Sequence, residues 1–522
     1  GLGLVSSPVP HPSHSFPIVP PMVEPEHLDV LIVGAGISGI GGAVHLQDRC
    51  PDKSFAILEG RPDIGGTWDL FRYPGVRSDS DMHTLGFRFK PWRHERSIAD
   101  GPVILDYLRE TVAEHDLIDH IRFGHRVASA DWSSEHARWT VTATHTDPGS
   151  GASTPVTLTC GFLFMCSGYY SYREGFTPEF RGRERFKGTI VHPQDWPEDL
   201  DYAGKRVVVI GSGATAMTLV PAMADDTAHI TMVQRSPTYV VSRPATDAIA
   251  NRLQRFLPAK LAYAVVRRKN VFRQGLVYRK TRTEPEKVKQ FLLAGVRDGL
   301  GPDYDVDTHF TPTYNPWDQR LCLIPDGDLF RVIRAGRASM VTEHIDTFTE
   351  TGVRLQSGEE LEADIIVTAT GLNLVTLGEM DFVVDDQPLD FADTWTYRGL
   401  GYSNVPNLVS TFGYVNASWT LKADLTSEYV CRLLNHMAAV GATRCTPRLR
   451  PKDADMPERP WIDDFPAGYM TRTMHLLPRQ GDHAPWLNPQ DYRRDVKMIR
   501  RGAIDDGVMT FDAPDRAAVP VA

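Results

Sequence analysis

The sequence predicts an α/β chain built from two doubly wound domains. Two observations carry this: a strand, glycine turn and helix pattern that occurs twice, and a size and composition that suit more than one ordinary core. The chain has 522 residues, enough for two to four domains at roughly 100–200 residues each. Hydrophobic residues make up 42% and charged residues 23%, which excludes collagen-like, coiled-coil and globally disordered chains. The formal net charge is −10, a poor match for a general nucleic-acid binder.

The first pattern is LDVLIVGAGISGIGGAVHL. Leu28–Val33 is a short apolar run, as a strand buried on both faces requires. Gly34, Gly36 and Gly39 then complete GxGxxG as a helix begins. Such glycines allow a tight turn, close approach of the backbone to a pyrophosphate, and close helix–strand packing. The free N–H groups at the helix start favour the anion. The context completes the motif: a second strand, Ser54–Leu58, ends at Glu59, about 20 residues past the last glycine, where an acid binds a ribose hydroxyl.

The second pattern is KRVVVIGSGATAMTLVPAM, with strand Val207–Ile210 and with Gly211, Gly213 and Ala216 at the three motif positions. The strand that follows, His229–Val233, ends in Gln234-Arg235-Ser236 with no acid. Arginine pairs with a 2′-phosphate that an acid would repel. The two Rossmann-like sites therefore read as FAD first and NADPH second, which implies hydride transfer between them. Both uncharged stretches, Val30–Gln47 and Val207–Ala224, are long enough for membrane helices, but their glycines favour strand–turn–helix.

The six cysteines, at 50, 160, 166, 322, 431 and 445, form no CxxC. That argues against a zinc ribbon, an iron–sulfur site or a dithiol centre, and leaves no metal site expected. None lies between Glu59 and Asp131, so no thiol pair waits beside the flavin. The electrons then go to oxygen, to a quinone-like acceptor or to a protein partner. Few scattered thiols suit a cytoplasmic location. Residues 1–26 hold seven prolines, the first Lys or Arg is Arg49, and no secretory or transit signal is recognisable. Residues 1–21 read as a disordered extension, or as added sequence ahead of a natural start at Met22.

Phe186-x-Gly188-x-x-x-His192-x-x-x-Trp196-Pro197 resembles the FxGxxxHxxxW(P/D) fingerprint of class B flavoprotein monooxygenases of the Baeyer–Villiger type. GGTWDLFRYPGVRSDSDM at 65–82 is similar to that family's flavin-covering segment. NPWDQRLCLIPDGDLF at 315–330 and NASWTLKADL at 416–425 resemble the actinobacterial ethionamide-activating members. The resemblance runs from about Leu28 to about Asp506.

That resemblance implies an FAD- and NADPH-dependent monooxygenase. It would act through a C4a-peroxyflavin formed from molecular oxygen, oxidising small apolar ketones to esters or lactones and oxygenating sulfides or thioamides. An N-hydroxylating monooxygenase and a catalytically silent flavin-binding module are the alternatives. Gly34, Gly36, Gly39 and Glu59 would hold FAD, with Gly66, Thr67, Trp68 and Asp79 around its ring system. Gly211, Gly213, Thr215, Arg235 and Ser236 would hold NADPH. Arg320, positioned by Asp79, would be catalytic, since a fixed cation stabilises a peroxide anion and does not titrate away. His192 would order a hinge between domains, with Trp196 structural. Gln319 replaces a lysine of better-known members and leaves Arg235 more alone with the 2′-phosphate.

FLFMCSGYY at 162–170 and DIIVTATG at 364–371 resemble the family's crossings between domains. The expected organisation is an FAD domain split into 22–165 and 372–522, around an NADPH domain at 166–371 with a helical insertion at 245–315. Within it, residues 251–297 hold 13 Lys/Arg against Glu284 and Glu286, with Leu253, Phe256, Leu257, Leu261, Ala264 and Val265 at helical spacing. This suits either a solvated basic face or weak peripheral contact with an anionic membrane. Asp303-x-Asp305-x-Asp307 starts like a calcium loop, but Thr308 and Tyr314 stand where glycine and glutamate are needed.

Overall fold

A computed structural model describes residues 24–463 and 465–513. The proposed extension and Met22 lie outside them.

The chain opens with β1 (Glu26–Val33), α1 (Ile37–Arg49) and β2 (Phe55–Leu58). β3 (Ile121–Arg122) and the meander β4 (His125–Ser133), β5 (Arg138–Thr146) and β6 (Ser153–Met165) follow. It then crosses outward through β7 (Tyr170–Gly175). The second unit contains β8 (Thr189–Val191), β9 (Arg206–Ile210), α2 (Ala214–Met223) and β10 (His229–Gln234). Three helices come next: α3 (Ala248–Phe256), α4 (Ala259–Thr283) and α5 (Pro285–Leu300). β11 (Ala338–Thr342) and β12 (Ile365–Thr368) complete that unit, and β13 (Leu372–Leu374) returns. β14 (Asp381–Val384), β15 (Gln387–Pro388), β16 (Leu408–Ser410) and α6 (Trp419–Val440) rejoin the first unit.

Among the described residues the first sheet has nine strands, in the order β15–β14–β4–β5–β6–β1–β2–β3, with β16 beside β6. β1 pairs in parallel with β2 and with β6, while β4, β5 and β6 are antiparallel neighbours. The second sheet, β11–β10–β9–β12–β8, is parallel throughout. A parallel strand covered on both faces needs a continuous apolar run, and both central strands have one. In β1, Val30 and Ile32 enter one core while Leu31 and Val33 enter another. In β9, Val207 and Val209 face one core while Val208 and Ile210 face the other.

The two crossings pair with each other. β7 and β13 form an antiparallel ribbon, with Leu372 opposite Gly175 and Leu374 opposite Tyr170. His192 sits against this ribbon. Its Nε2 lies 3.2 Å from the Gly371 carbonyl oxygen, and a Cβ on Gly175 would fall 1.8 Å from its ring. Burial lowers the pKa of His192. Trp196 packs into the core of the second unit.

The helices after β10 bridge the two units. Tyr263 of α4 enters the core around α1, and Arg267 donates to the carbonyls of His83, Thr84 and Gly86 at 3.0, 3.0 and 2.7 Å. Asn270 donates to Asp81 at 2.9 Å. α5 packs instead with the second unit, through Leu293, Val296 and Leu300. Asp305 of the acidic stretch caps a short helix, Val306–Phe310, by accepting from the Thr308 N–H at 3.0 Å.

Candidate functional site

Parallel strands expose their carboxyl ends to a crevice where ligands bind. In the first unit that crevice is a cavity of about 650 Å³ running from the first glycine turn to the loop that carries Arg320.

The turn after β1 explains its own glycines. Gly34 has φ +102°, and a Cβ there would lie 2.6 Å from the Cys166 carbonyl oxygen. A Cβ on Gly39 would lie 1.9 Å from the Gly34 oxygen, so Gly39 serves helix–strand contact behind the cavity wall. Gly36 differs: the nearest protein atom to its virtual Cβ is Gly66 Cα at 3.7 Å. Its bare face therefore looks into the cavity at the start of α1, where an anion is favoured. Gly66, with φ +56°, closes the same space from the other side.

Glu59 follows β2 and lines the cavity. Its carboxylate accepts from Ala35 N at 2.7 Å and from Arg61 N at 2.8 Å. Burial nevertheless pushes its pKa up. A buried carboxylate at this point accepts hydrogen bonds from a ribose diol, which makes it a fit for the adenosine half of a dinucleotide. Thr67 and Trp68 stand on the next wall, Thr67 at 2.7 Å from the Tyr170 hydroxyl.

Arg320 enters from the opposite side and pairs with Asp79. The Asp79 carboxylate raises the guanidinium pKa further above its ordinary value. The side chain is 34% exposed although it lies deep in the molecule, because its accessible part faces the cavity. Charge at this position is permanent, and it lies where the two units meet. The Cys322 thiol nearby is pushed up to about 12 by burial and stays protonated.

The second turn repeats the first. Gly211 has φ +133°, and a Cβ there would lie 2.2 Å from the Ala369 oxygen. Ala216 is buried at the packing position, whereas a Cβ on Gly213 meets nothing within 4 Å. The turn thus leaves open the approach a second pyrophosphate needs. Thr215 reaches the shared cavity, as does Tyr73, whose hydroxyl is pushed up to about 12 by burial. Arg235 and Ser236 stand exposed past the end of β10, off the cavity. Ser212 donates to the Ser236 carbonyl at 3.4 Å, tying that end to the turn.

The cavity therefore gathers Gly34, Gly36, Glu59, Gly66, Thr67, Trp68, Asp79, Thr215 and Arg320. Gly39 and Gly211 are packing positions, Gly213 is an open turn, and Arg235 and Ser236 sit at a strand end. An aromatic wall completes it, and sequence reasoning missed this wall. Tyr169 stacks on Trp419 with centroids 5.1 Å apart, and Phe412 lies 5.5 Å from Tyr169. Trp419 Nε1 donates to Ser38 at 2.8 Å, locking the wall to the first turn. Tyr469 lies beside Arg320, its pKa raised by burial. Tyr169 had a signal, since it lies in the crossing FLFMCSGYY, four residues past the strand end at Met165. Phe412 and Tyr469 had none.

A sequence profile described as flavin-binding monooxygenase-like matches residues 97–274, and a NAD(P)-binding Rossmann-like profile matches 32–97. The FAD-containing monooxygenase EthA of Mycobacterium tuberculosis strain H37Rv is 55% identical over 487 residues, covering 93% of this chain and 98% of that protein. The EthA of Mycolicibacterium smegmatis is 52% identical over 495 residues, covering 95% and 99%. Among solved structures, an oxidised steroid monooxygenase bound to NADP superposes with a TM-score of 0.73 at 24% identity, covering 93% of this chain and 100% of that one.

Proposed function

The chain belongs to the FAD-containing monooxygenases, and from that premise we propose that it takes its electrons from NADPH and oxidises small apolar ketones, sulfides or thioamides with molecular oxygen. The observation that supports this reading best is Arg320, a permanent cation held by Asp79 on the wall of the cavity that the first glycine turn also lines.

When bound, FAD would supply the two-electron redox chemistry that links NADPH to molecular oxygen. The chain's residues do the rest. Gly36 and the start of α1 receive the pyrophosphate, and Glu59 orients the ribose. Gly213 and the start of α2 receive the second pyrophosphate, and exposed Arg235 pairs with the 2′-phosphate. Arg320 stabilises negative charge that develops on oxygen in the cavity, in a geometry fixed beforehand by Asp79. The aromatic wall of Tyr169, Phe412 and Trp419 keeps water from the reacting centre and suits an apolar substrate. For a ketone the balance is substrate, O₂, NADPH and a proton giving ester, NADP⁺ and water.

The purified yellow protein, reduced anaerobically with NADPH and then exposed to oxygen with a ketone or a sulfide, should give a product one oxygen heavier by mass spectrometry. Arg320→Ala should keep its FAD and lose at least about a hundredfold in oxygenation, the scale for removing a charge-stabilising donor. Full conversion of oxygen to hydrogen peroxide by the unaltered protein, with no product, would overturn the substrate reading. Undiminished oxygenation by Arg320→Ala would remove Arg320 from its role.

A further inference from the structure

Seven of the ten large apolar side chains left exposed among the described residues lie between Ile249 and Phe291. Phe256 is 76% exposed and Phe291 72%. Single exposed apolar residues are ordinary, but a concentration of them marks a contact surface. On α4, Leu261, Val265, Phe272 and Leu276 lie at helical spacing along the exposed side, with exposed Arg268 between Val265 and Phe272. The opposite line, through Tyr263, Val266 and Asn270, is the one buried against the first unit. The helix thus buries one face and still presents a second apolar stripe. Two of the positions expected to form an apolar face, Leu261 and Val265, belong to that stripe.

The surroundings of the stripe are cationic. Arg252, Arg255, Lys260, Arg268, Arg279 and Lys280 are exposed, and none has a carboxylate partner within ion-pair distance among the described residues. The acids of the segment are Glu284 and Glu286, and Lys287 pairs with Glu284. The C-terminal part of the chain adds to the same charge, because the Arg493 guanidinium lies 5.3 Å from the Phe272 ring centroid.

This combination selects among occupants. A two-fold contact between copies would set the same patch against itself, bringing cation onto cation. An anionic bilayer satisfies both features, with apolar side chains at the headgroup boundary and cations on lipid phosphates. Among the described residues no helix is long and apolar enough to cross a membrane, so the contact is peripheral. We propose that the exposed face of α3 and α4 docks on an anionic lipid surface.

The test is sedimentation of the FAD-loaded full chain with phosphatidylglycerol-containing vesicles and with pure phosphatidylcholine vesicles, at low and high salt. Binding should require the anionic lipid and weaken at least about tenfold at high salt. The triple variant Arg252→Gln, Arg255→Gln, Lys260→Gln should weaken it about a hundredfold, given about 1 kcal/mol for each cation near the surface. Flavin content should be unchanged. The six native cysteines are buried, so a nitroxide on a Leu276→Cys variant reports from one place. Vesicles should shield it from a water-soluble relaxant. Three results would overturn the proposal: no sedimentation with either lipid, equal and salt-insensitive binding to both, or lipid-independent dimerisation that a Phe272→Ser change abolishes.

Discussion

Arg282, in the last turn of α4, donates to Asp318 at 2.8 Å and with its other terminal nitrogen to the Trp317 carbonyl. Arg320 stands two residues beyond Asp318. Trp317 has φ +69°, a strained conformation for an aromatic residue that costs on the order of 1–3 kcal/mol and persists only where its surroundings enforce it. The Tyr278 ring packs edge-on against Trp317, 6.1 Å between centroids. A helix whose middle is anchored to the first unit thus holds, at its end, the loop that presents the cavity's cation.

Arg282→Ala should therefore relax the 315–320 loop and lower oxygenation by about tenfold or more, the scale for sub-ångström to ångström misplacement. FAD content should stay near one per chain. Arg282→Lys should restore little, because a single ammonium does not reproduce the fork that reaches two acceptors. Steady-state kinetics beside the flavin spectrum decides it, and wild-type turnover in Arg282→Ala would refute the coupling.

Arg235→Ala should raise KM for NADPH by about 10- to 100-fold while leaving NADH nearly unaffected, the expected signature of a lost phosphate contact. Arg235 is exposed past the end of β10 and is free to meet the phosphate. Equal effects on both cofactors would point to a folding role.

Glu59 gives a pH prediction with a definite sign. Its pKa is raised by burial, so the native state holds that proton to higher pH than the unfolded chain does. Ionisation of Glu59 then costs the apoprotein stability, a cost absent below the ordinary glutamate range and fully present once pH has passed the native pKa. FAD affinity should move the other way over the same window, rising as the carboxylate ionises and accepts the ribose hydroxyls. Flavin fluorescence titrations at a series of pH values check this, and Glu59→Gln should flatten the profile while weakening FAD binding about tenfold or more. A flat profile in the unaltered protein would exclude the carboxylate from the adenosine site.

Lys422 and Asp495 form an ion pair in which both side chains are 0% exposed, with Nζ and Oδ2 at 2.8 Å and the Tyr414 hydroxyl donating to the same oxygen at 2.7 Å. Tyr414 also lines the cavity. Lys422→Met strands a buried carboxylate and should destabilise by about 3–5 kcal/mol, whereas the double change Lys422→Met, Asp495→Leu should recover most of that loss. Denaturant unfolding of the three proteins measures it. A single variant as stable as the unaltered chain would show that water reaches the pair.

The parts legible in the sequence are those whose signal is local. Gly34, Gly36, Gly39 and Glu59 announce their geometry because turn, helix start and strand end follow within one short stretch. The strand limits differ only slightly from expectation: β1 begins at Glu26 rather than Leu28, β2 at Phe55 rather than Ser54, and β10 runs to Gln234 rather than Val233. What escaped detection depends on contacts between distant segments. Trp419 meets Tyr169 and Ser38 across hundreds of residues, and Arg282 meets Asp318 only after the intervening helix has folded back. The basic segment shows the same limit differently. Its spacing gave a helix and an apolar face, but which face the molecule covers is decided by Arg267 and Asn270, whose partners lie near residue 85.

The paired crossings also set where this chain can change length. A one-residue insertion in β7 or in β13 would turn every following side chain of that strand to the other face. It would break the register that sets Leu374 opposite Tyr170 and Leu372 opposite Gly175, and so loosen the ribbon beside the Tyr170 hydroxyl that reaches Thr67. The loops joining α3, α4 and α5 carry no such register. Relatives that grow or shrink should therefore do so there and in surface hairpins, and a library of single-residue insertions scored for flavin retention should show a narrow intolerant band at 170–175 and 372–374.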